Sequence, residues 1–253
     1  MLPIPDPIAF TLIGLPIRWY GICIAAGILI GLFIAYNRAP LHRIHKDRVI
    51  DLTLISLPVG IIGARLYYVI FNWDLYKGDF FKIINIRSGG LAIHGGLILG
   101  ITAAVICCYI WRIRPLNIID LMIPSVALAQ AIGRWGNYFN QEAYGVPTDL
   151  PWAIEIKGEM VHPTFLYESV WCFILFIILV LIDNRRLFNG QTFLLYGTLY
   201  SLERFFVEGL RTDSLMLGSL RVAQLVSAVV FFSFLIIYIY LSRKHSRKKR
   251  MFY

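Results

Sequence analysis

The chain has 253 residues, 58% of them hydrophobic and only 15% charged, where a soluble domain averages about half and a quarter. Its net charge of +9 would suit nucleic acid, but the basic residues lie in the connections and the tail between and after long apolar blocks. The four cysteines (Cys23, Cys107, Cys108, Cys172) fall inside those blocks without metal-ligand or thioredoxin-like spacing, which argues against a disulfide-stapled secreted fold.

In chain order, residues 1–17 hold four prolines and no basic cluster. They lack the charged start of a cleaved signal peptide, so the first apolar block is expected to remain as a span. Seven spans are expected, at about 19–36, 50–71, 89–111, 118–138, 162–182, 191–209 and 219–241. Gly21–Tyr36, Leu97–Ile110, Trp171–Ile182 and Leu225–Leu241 are almost free of charge over roughly a bilayer thickness of helix. Lipid leaves no backbone group unsatisfied, so such blocks read as helices, and the alternating segments of a membrane barrel are absent. The fourth and sixth spans are polar at one end. The connection 139–161 contains Trp152–Ile156, which alternates weakly in the manner of a short strand. The expected fold is an all-α integral membrane protein, a single polytopic domain over 1–253 with a small extracytoplasmic cap at 139–161.

The connections alternate sides. By count, 37–49, 112–117, 183–190 and the tail 242–253 carry 14 Lys or Arg, and the other set carries six, counting Arg18 at its edge. The positive-inside rule then puts the N-terminus outside and the C-terminus in the cytoplasm. The basic tail reads as an anchor against anionic lipid.

That topology brings polar residues of five spans to the outer face. They are Tyr20 and Gly21, Gly89 to Gly96 around His94, then Arg134, Asn137 and Asn140, then His162, Tyr167 and Glu168, then Tyr200, Arg204 and Glu208. Each has a plainer reading: Tyr20 as an interface aromatic, the glycines as packing surfaces, Arg65 as a snorkelling side chain. Charged groups inside spans are costly, however, and mark pathways or sites. Tyr200, Arg204 and Glu208 recur every four residues and share a helix face, as do Arg134 and Asn137. Two arginines converging on one cavity suggest an anionic substrate group gripped by planar forked donors. A transporter or channel is the alternative, although its polar groups should continue through the midplane.

Gly133-Arg134-Trp135-Gly136-Asn137-Tyr138-Phe139-Asn140-Gln141-Glu142-Ala143-Tyr144-Gly145 closely resembles the signature of the bacterial prolipoprotein diacylglyceryl transferases. Trp19-Tyr20-Gly21, Gly63 to Tyr68, Gly89 to Gly96, His162 to Glu168 and Glu203 to Glu208 also look like segments of that family, and Phe165 stands where many members carry Gln. The resemblance implies a seven-span enzyme of the bacterial inner (cytoplasmic) membrane without a cofactor or metal. It would move the diacylglyceryl group of phosphatidylglycerol onto the lipobox cysteine thiol of a prolipoprotein signal peptide, releasing glycerol phosphate. A thiol ionises near a pKa of roughly 8.5, so thiolate at neutral pH needs a base or a positive field. His94 is the candidate base, since imidazoles titrate near neutrality. Arg134 and Arg204 would stabilise charge developing on the departing phosphate. Tyr20, Asn137, Glu142, Tyr200 and Glu208 would orient the headgroup or the arginines. Gly145 would permit a turn with positive φ or a close approach by lipid. Membrane lipid and the signal peptide, with no nucleic acid, are the expected partners.

Overall fold

The computed structural model describes residues 6–86 and 89–250. Pro3, Pro5 and Arg87, on which parts of the leader and charge readings rest, lie outside them. Nine helices and three two-stranded hairpins are found among the described residues. Six stretches are long and apolar enough to cross a membrane: Trp19–His42, Lys46–Phe71, Ile93–Ile110, Pro115–Phe139, Thr164–Asp183 and Val222–Ser246. The seventh expected span is a complete 20-residue helix, Gln191–Leu210, whose polar final turns keep it out of that group. The protein is therefore an all-α integral membrane protein, with six helices apolar enough to span among the described residues.

Backbone contacts divide the chain into one unit of residues 1–35 and 119–253 and another of residues 36–118. The first opens with a hairpin that the sequence reading did not foresee, β1 (Ile8–Leu12) against β2 (Leu15–Arg18). Its two-residue turn is Ile13-Gly14, both at positive φ, the geometry that suits the twist of a tight hairpin. Helix α1 (Trp19–Arg38) follows directly.

The second unit holds α2 (Lys46–Phe71), the short α3 (Trp73–Tyr76) and α4 (Phe80–Ile84), and α5 (Ile93–Ile110). Helix α5 begins later than expected because Gly89 and Gly90 have φ of +85° and +75°, outside any right-handed helix. Helices α2 and α5 meet through glycines: a Cβ on Gly63 would stand 2.5 Å from the Gly95 carbonyl oxygen and 2.7 Å from Leu99 Cβ. Small residues let two backbones approach where lipid supplies no hydrophobic drive. Arg65 does not snorkel. It is 4% exposed. It donates to the carbonyls of Lys82 (2.5 Å), Ile83 (2.8 Å), Gly89 (2.7 Å) and Gly90 (2.9 Å).

In the first unit, α6 (Pro115–Phe139) leads to the connection 139–161, where β3 (Ile154–Ile156) pairs with β4 (Glu159–Val161) around Lys157-Gly158, both at positive φ. The strand expected over Trp152–Ile156 is thus confined to its last three residues. Helix α7 (Thr164–Asp183) starts after Pro163, and α8 (Gln191–Leu210) runs back. A last hairpin, β5 (Met216–Leu217) with β6 (Leu220–Arg221), precedes α9 (Val222–Arg250). The core between helices is built on Ala127, Leu175 and Leu179, with Tyr196 and Tyr200 packed against it. At one end of this unit, fully buried Asp120 accepts from the Gly190 and Phe193 amides at 2.6 and 3.0 Å. The N-cap of α8 is Gly190, which has no side chain to cap with, so a carboxylate on α6 satisfies those orphan donors.

Candidate active site

The opposite end of the first unit gathers the end of α6, the start of α7 and the end of α8. Its centre is Glu168, 1% exposed. Arg134 on α6 forms an ion pair with Glu168 Oε2, and its Nη2 lies 3.4 Å from the Tyr200 hydroxyl. Arg204 on α8 donates from Nη1 to Glu168 Oε1 at 3.0 Å, and its Nη2 is 2.6 Å from Glu208 Oε2 one turn on. Arg211 Nη1 approaches Glu168 Oε1 at 3.7 Å. That guanidinium is held by two bonds to Asp213, at 2.9 and 2.7 Å. Those bonds hold the Asp213 carboxyl below the usual carboxylate range. Arg221 donates to the Glu208 carbonyl. The Arg134 and Arg204 side chains each keep 21% exposure, so their donors are not sealed off.

Local packing explains why the arginines stand there. Trp135 Nε1 donates to Ser169 Oγ at 3.2 Å, and Ser169 donates to the Ala131 carbonyl at 2.8 Å, tying α6 to α7. Phe165 is buried and stacks on Tyr138 with ring centroids 5.0 Å apart; at this position the side chain serves packing. Tyr20 lies on α6 at Gly136, where a Cβ would come within 2.5 Å of its ring.

Other expected site residues form a neighbouring group. Asn137 Nδ2 donates to Glu142 Oε1 at 3.0 Å, with Asn140 at 3.5 Å. The turn carrying Glu142 is flanked by Gln141 and Ala143, both at positive φ. Asn137 and Glu142 therefore pair with each other. Gly145 has no positive φ: a Cβ there would stand 2.6 Å from His162 Cβ, so the close approach is by the chain itself. Trp152 Nε1 donates to the Tyr167 hydroxyl at 2.9 Å, and the same hydroxyl shares a hydrogen bond with His162 Nδ1 at 3.2 Å. His94 belongs to the other unit. It is exposed in the first turn of α5, its ring centroid 6.1 Å from that of Tyr67.

The structure thus joins Arg134, Tyr200, Arg204 and Glu208 in one network. It adds Glu168, which had been noted as polar without a role, and Arg211, which had been given none. The i, i+4 rule exposed the Arg204–Glu208 pair. Nothing in the sequence pairs α7 with the arginines, because that contact is tertiary. Glu203, buried, has neither carboxylate oxygen hydrogen-bonded. Among the described residues no three of His, Cys, Asp and Glu are grouped as metal ligands. Two guanidiniums from different helices, converging on one carboxylate and still partly accessible, can receive a compact anion such as a phosphodiester.

The fold and the cluster define a helical integral membrane protein that brings two guanidiniums onto one buried carboxylate at one end of its helices. The chain is a member of the family described as prolipoprotein diacylglyceryl transferase, whose sequence profile matches residues 7–240. It is 51% identical over 240 residues to a phosphatidylglycerol–prolipoprotein diacylglyceryl transferase of Clostridioides difficile (strain 630), covering 95% of this chain and 97% of that protein. It is 48% identical over 235 residues to the protein of the same name from Finegoldia magna, covering 92% and 95%. It is 51% identical over 238 residues to that of Staphylococcus aureus (strain N315), covering 89% and 85%.

Proposed function

We infer that the chain is a phosphatidylglycerol–prolipoprotein diacylglyceryl transferase. The reaction joins the sulfur of a lipobox cysteine to a glycerol carbon of the lipid. The bond from that carbon to the phosphate oxygen breaks, and glycerol phosphate leaves. The thiol proton passes to a base. The observation that carries the reading at residue level is the convergence of Arg134 and Arg204 on Glu168, in a chain about half identical to enzymes of this name.

In this reading Arg134 and Arg204 hold the phosphate and stabilise the charge it gains as it departs. Glu168 and Glu208 aim the two guanidiniums, and Tyr200 steadies Arg134. Tyr20, Asn137, Glu142 and Gly145 border the headgroup. His94 takes the thiol proton. Acyl chains lie between the spans, which is why the chemistry is done in a membrane.

Purified protein incubated with phosphatidylglycerol and a lipobox peptide is expected to raise the peptide mass by one diacylglyceryl group. Folded protein that leaves the peptide mass unchanged would overturn the assignment.

The proposed location is the bacterial cytoplasmic membrane, with α8 as seventh span, the N-terminus outside and the C-terminus in the cytoplasm. The support is the excess of basic residues on one set of connections. A phosphatase reporter inserted near Thr148 should be active and one after Arg250 inactive. The reverse pattern would invert the topology.

A further inference from the structure

The mechanism above makes no use of Arg65, yet few side chains in the protein are more fully engaged. Its guanidinium is buried on α2, with the Tyr76 ring 4.9 Å from its central carbon. Its four hydrogen bonds all run to backbone carbonyls, and no carboxylate among the described residues lies within ion-pair distance. Two of the acceptors, Lys82 and Ile83, are in the last turn of α4, whose terminal carbonyls have no partner within the helix. The other two belong to Gly89 and Gly90, whose positive φ turns both carbonyls toward the same Nη1. One side chain thus holds both the last turn of α4 and the two glycines that lead into α5.

From Gly90 to Gly95 the chain is docked on α2 at intervals, at Gly90, Ala92 and Gly95, while Leu91 and Ile93 are exposed. A Cβ on Gly90 would stand 2.5 Å from Arg65 Nη1 and 2.9 Å from the Tyr68 ring. The Ala92 amide donates to the Ala64 carbonyl at 3.0 Å. Gly95 sits directly on Gly63 and Tyr67, with no room for a Cβ. Between these anchors lies His94, exposed, with few contacts of its own to fix it. It stands in the first turn of α5, with Gly95 packed on α2 on one side and, on the other, the Gly89 and Gly90 carbonyls held by Arg65.

We propose that Arg65 is a positioning residue for the transfer reaction: braced on the carbonyls of Lys82 and Ile83, it holds those of Gly89 and Gly90 and so fixes the entry to α5, whose first turn presents the His94 imidazole. The proposal rests on His94 being the base. Arginine suits the task because its planar fork spreads donors over four acceptors, whereas lysine offers three donors from one point.

The test is a double-mutant cycle on full-length protein in phosphatidylglycerol vesicles with a lipobox peptide, read by peptide mass. Arg65→Gln, Arg65→Lys and Gly90→Ala are each made alone and together with His94→Gln. Gly90→Ala attacks the clamp from its other side without removing charge, so the test survives if Arg65→Gln does not fold. Displacing a reacting group by about an ångström costs on the order of ten- to a hundredfold in rate. That loss is expected in kcat, with KM for phosphatidylglycerol unchanged, for Arg65→Gln and Gly90→Ala, and less for Arg65→Lys. In the His94→Gln background the same changes should cost little more, because their effect runs through the missing imidazole. An equal fold-loss in both backgrounds, or no loss from any clamp variant, would overturn the positioning role. A His94→Gln protein that transfers at the wild-type rate would instead overturn the base assignment on which it rests.

Discussion

Arg65 and Arg134 each stand in the last turns of a long helix, α2 and α6, near the end that leads into an irregular segment. Both are withdrawn from solvent, but their partners differ in kind. Arg65 is surrounded by carbonyl oxygens fixed in the backbone, which cannot rotate away. Arg134 faces a carboxylate on a rotatable side chain that it shares with Arg204 and Arg211. Backbone acceptors make a permanent clamp. Side-chain acceptors make an arrangement that can loosen to admit an incoming anion, because a carboxylate can turn and yield part of the guanidinium edge. The same residue type is thus scaffold in one unit and candidate site in the other, and the acceptor chemistry tells them apart.

The strongest way to break this comparison is Glu168→Gln. The change keeps the shape and removes the negative charge that three arginines share. Breaking a buried ion pair from one side costs about 3–5 kcal/mol. Glu168→Gln should lower the unfolding temperature in detergent markedly and abolish measurable transfer. Near-normal stability and rate would mean that the arginines are held by something else.

A smaller effect is expected from Arg134→Lys, which keeps the charge and loses the fork. A charge-assisted hydrogen bond contributes about 1.5–3 kcal/mol, so transfer should slow roughly ten- to a hundredfold with weaker phosphatidylglycerol binding. If Arg134→Ala keeps both rate and affinity, Arg134 is a scaffold residue like Arg65.

The smallest effect falls on Asp213, at the rim of the cluster, whose side chain is half exposed. Its folded pKa is depressed by Arg211, so its contribution is present above the unfolded carboxylate pKa and is lost as pH falls through the folded value. Asp213→Asn should cost about 0.2–1 kcal/mol at neutral pH, as exposed pairs do, and the difference from wild type should vanish in strong acid. A loss that persists in acid would show that Asp213 acts through something other than its charge.

How far the sequence could be read follows from the range of each interaction. The spans were legible because lipid forces helix formation locally and leaves long uncharged blocks. The Arg204–Glu208 pair was legible because helix geometry alone brings residues four apart together. Glu168 showed only as a polar residue near a span end, since its arginines lie on other helices. The clamp on Arg65 has no sequence signal, and snorkelling is its plainer reading, because its acceptors are peptide carbonyls, which every residue carries. The first hairpin was missed for a similar reason: Ile13-Gly14 is a weak turn signal beside the prolines around it. Gly145 is expected in a turn of positive φ or against lipid, and the structure packs it on His162, a contact that only the tertiary fold makes.

The polarity of α8 also bears on how the protein enters its membrane. Glu203, Arg204 and Glu208 lie in its last two turns. On insertion scales a charged residue near a helix centre costs roughly 2.5–3.5 kcal/mol, so α8 is a poor candidate to partition on its own. Its relief is next to it in the chain. Glu168 on α7 faces Arg204, and at the other end the Thr192 hydroxyl donates to Asp183 at 3.1 Å while Gln191 accepts from the Leu187 amide at 2.6 Å. The cap for the start of α8, Asp120, lies on α6, which is synthesised earlier. During biogenesis the partners that α6 and α7 offer to α8 are already made when it emerges, while Arg221 and Gln224, which donate to the Glu208 and Phe205 carbonyls, follow it in the chain; α8 is placed to enter lipid as the second arm of a hairpin with α7.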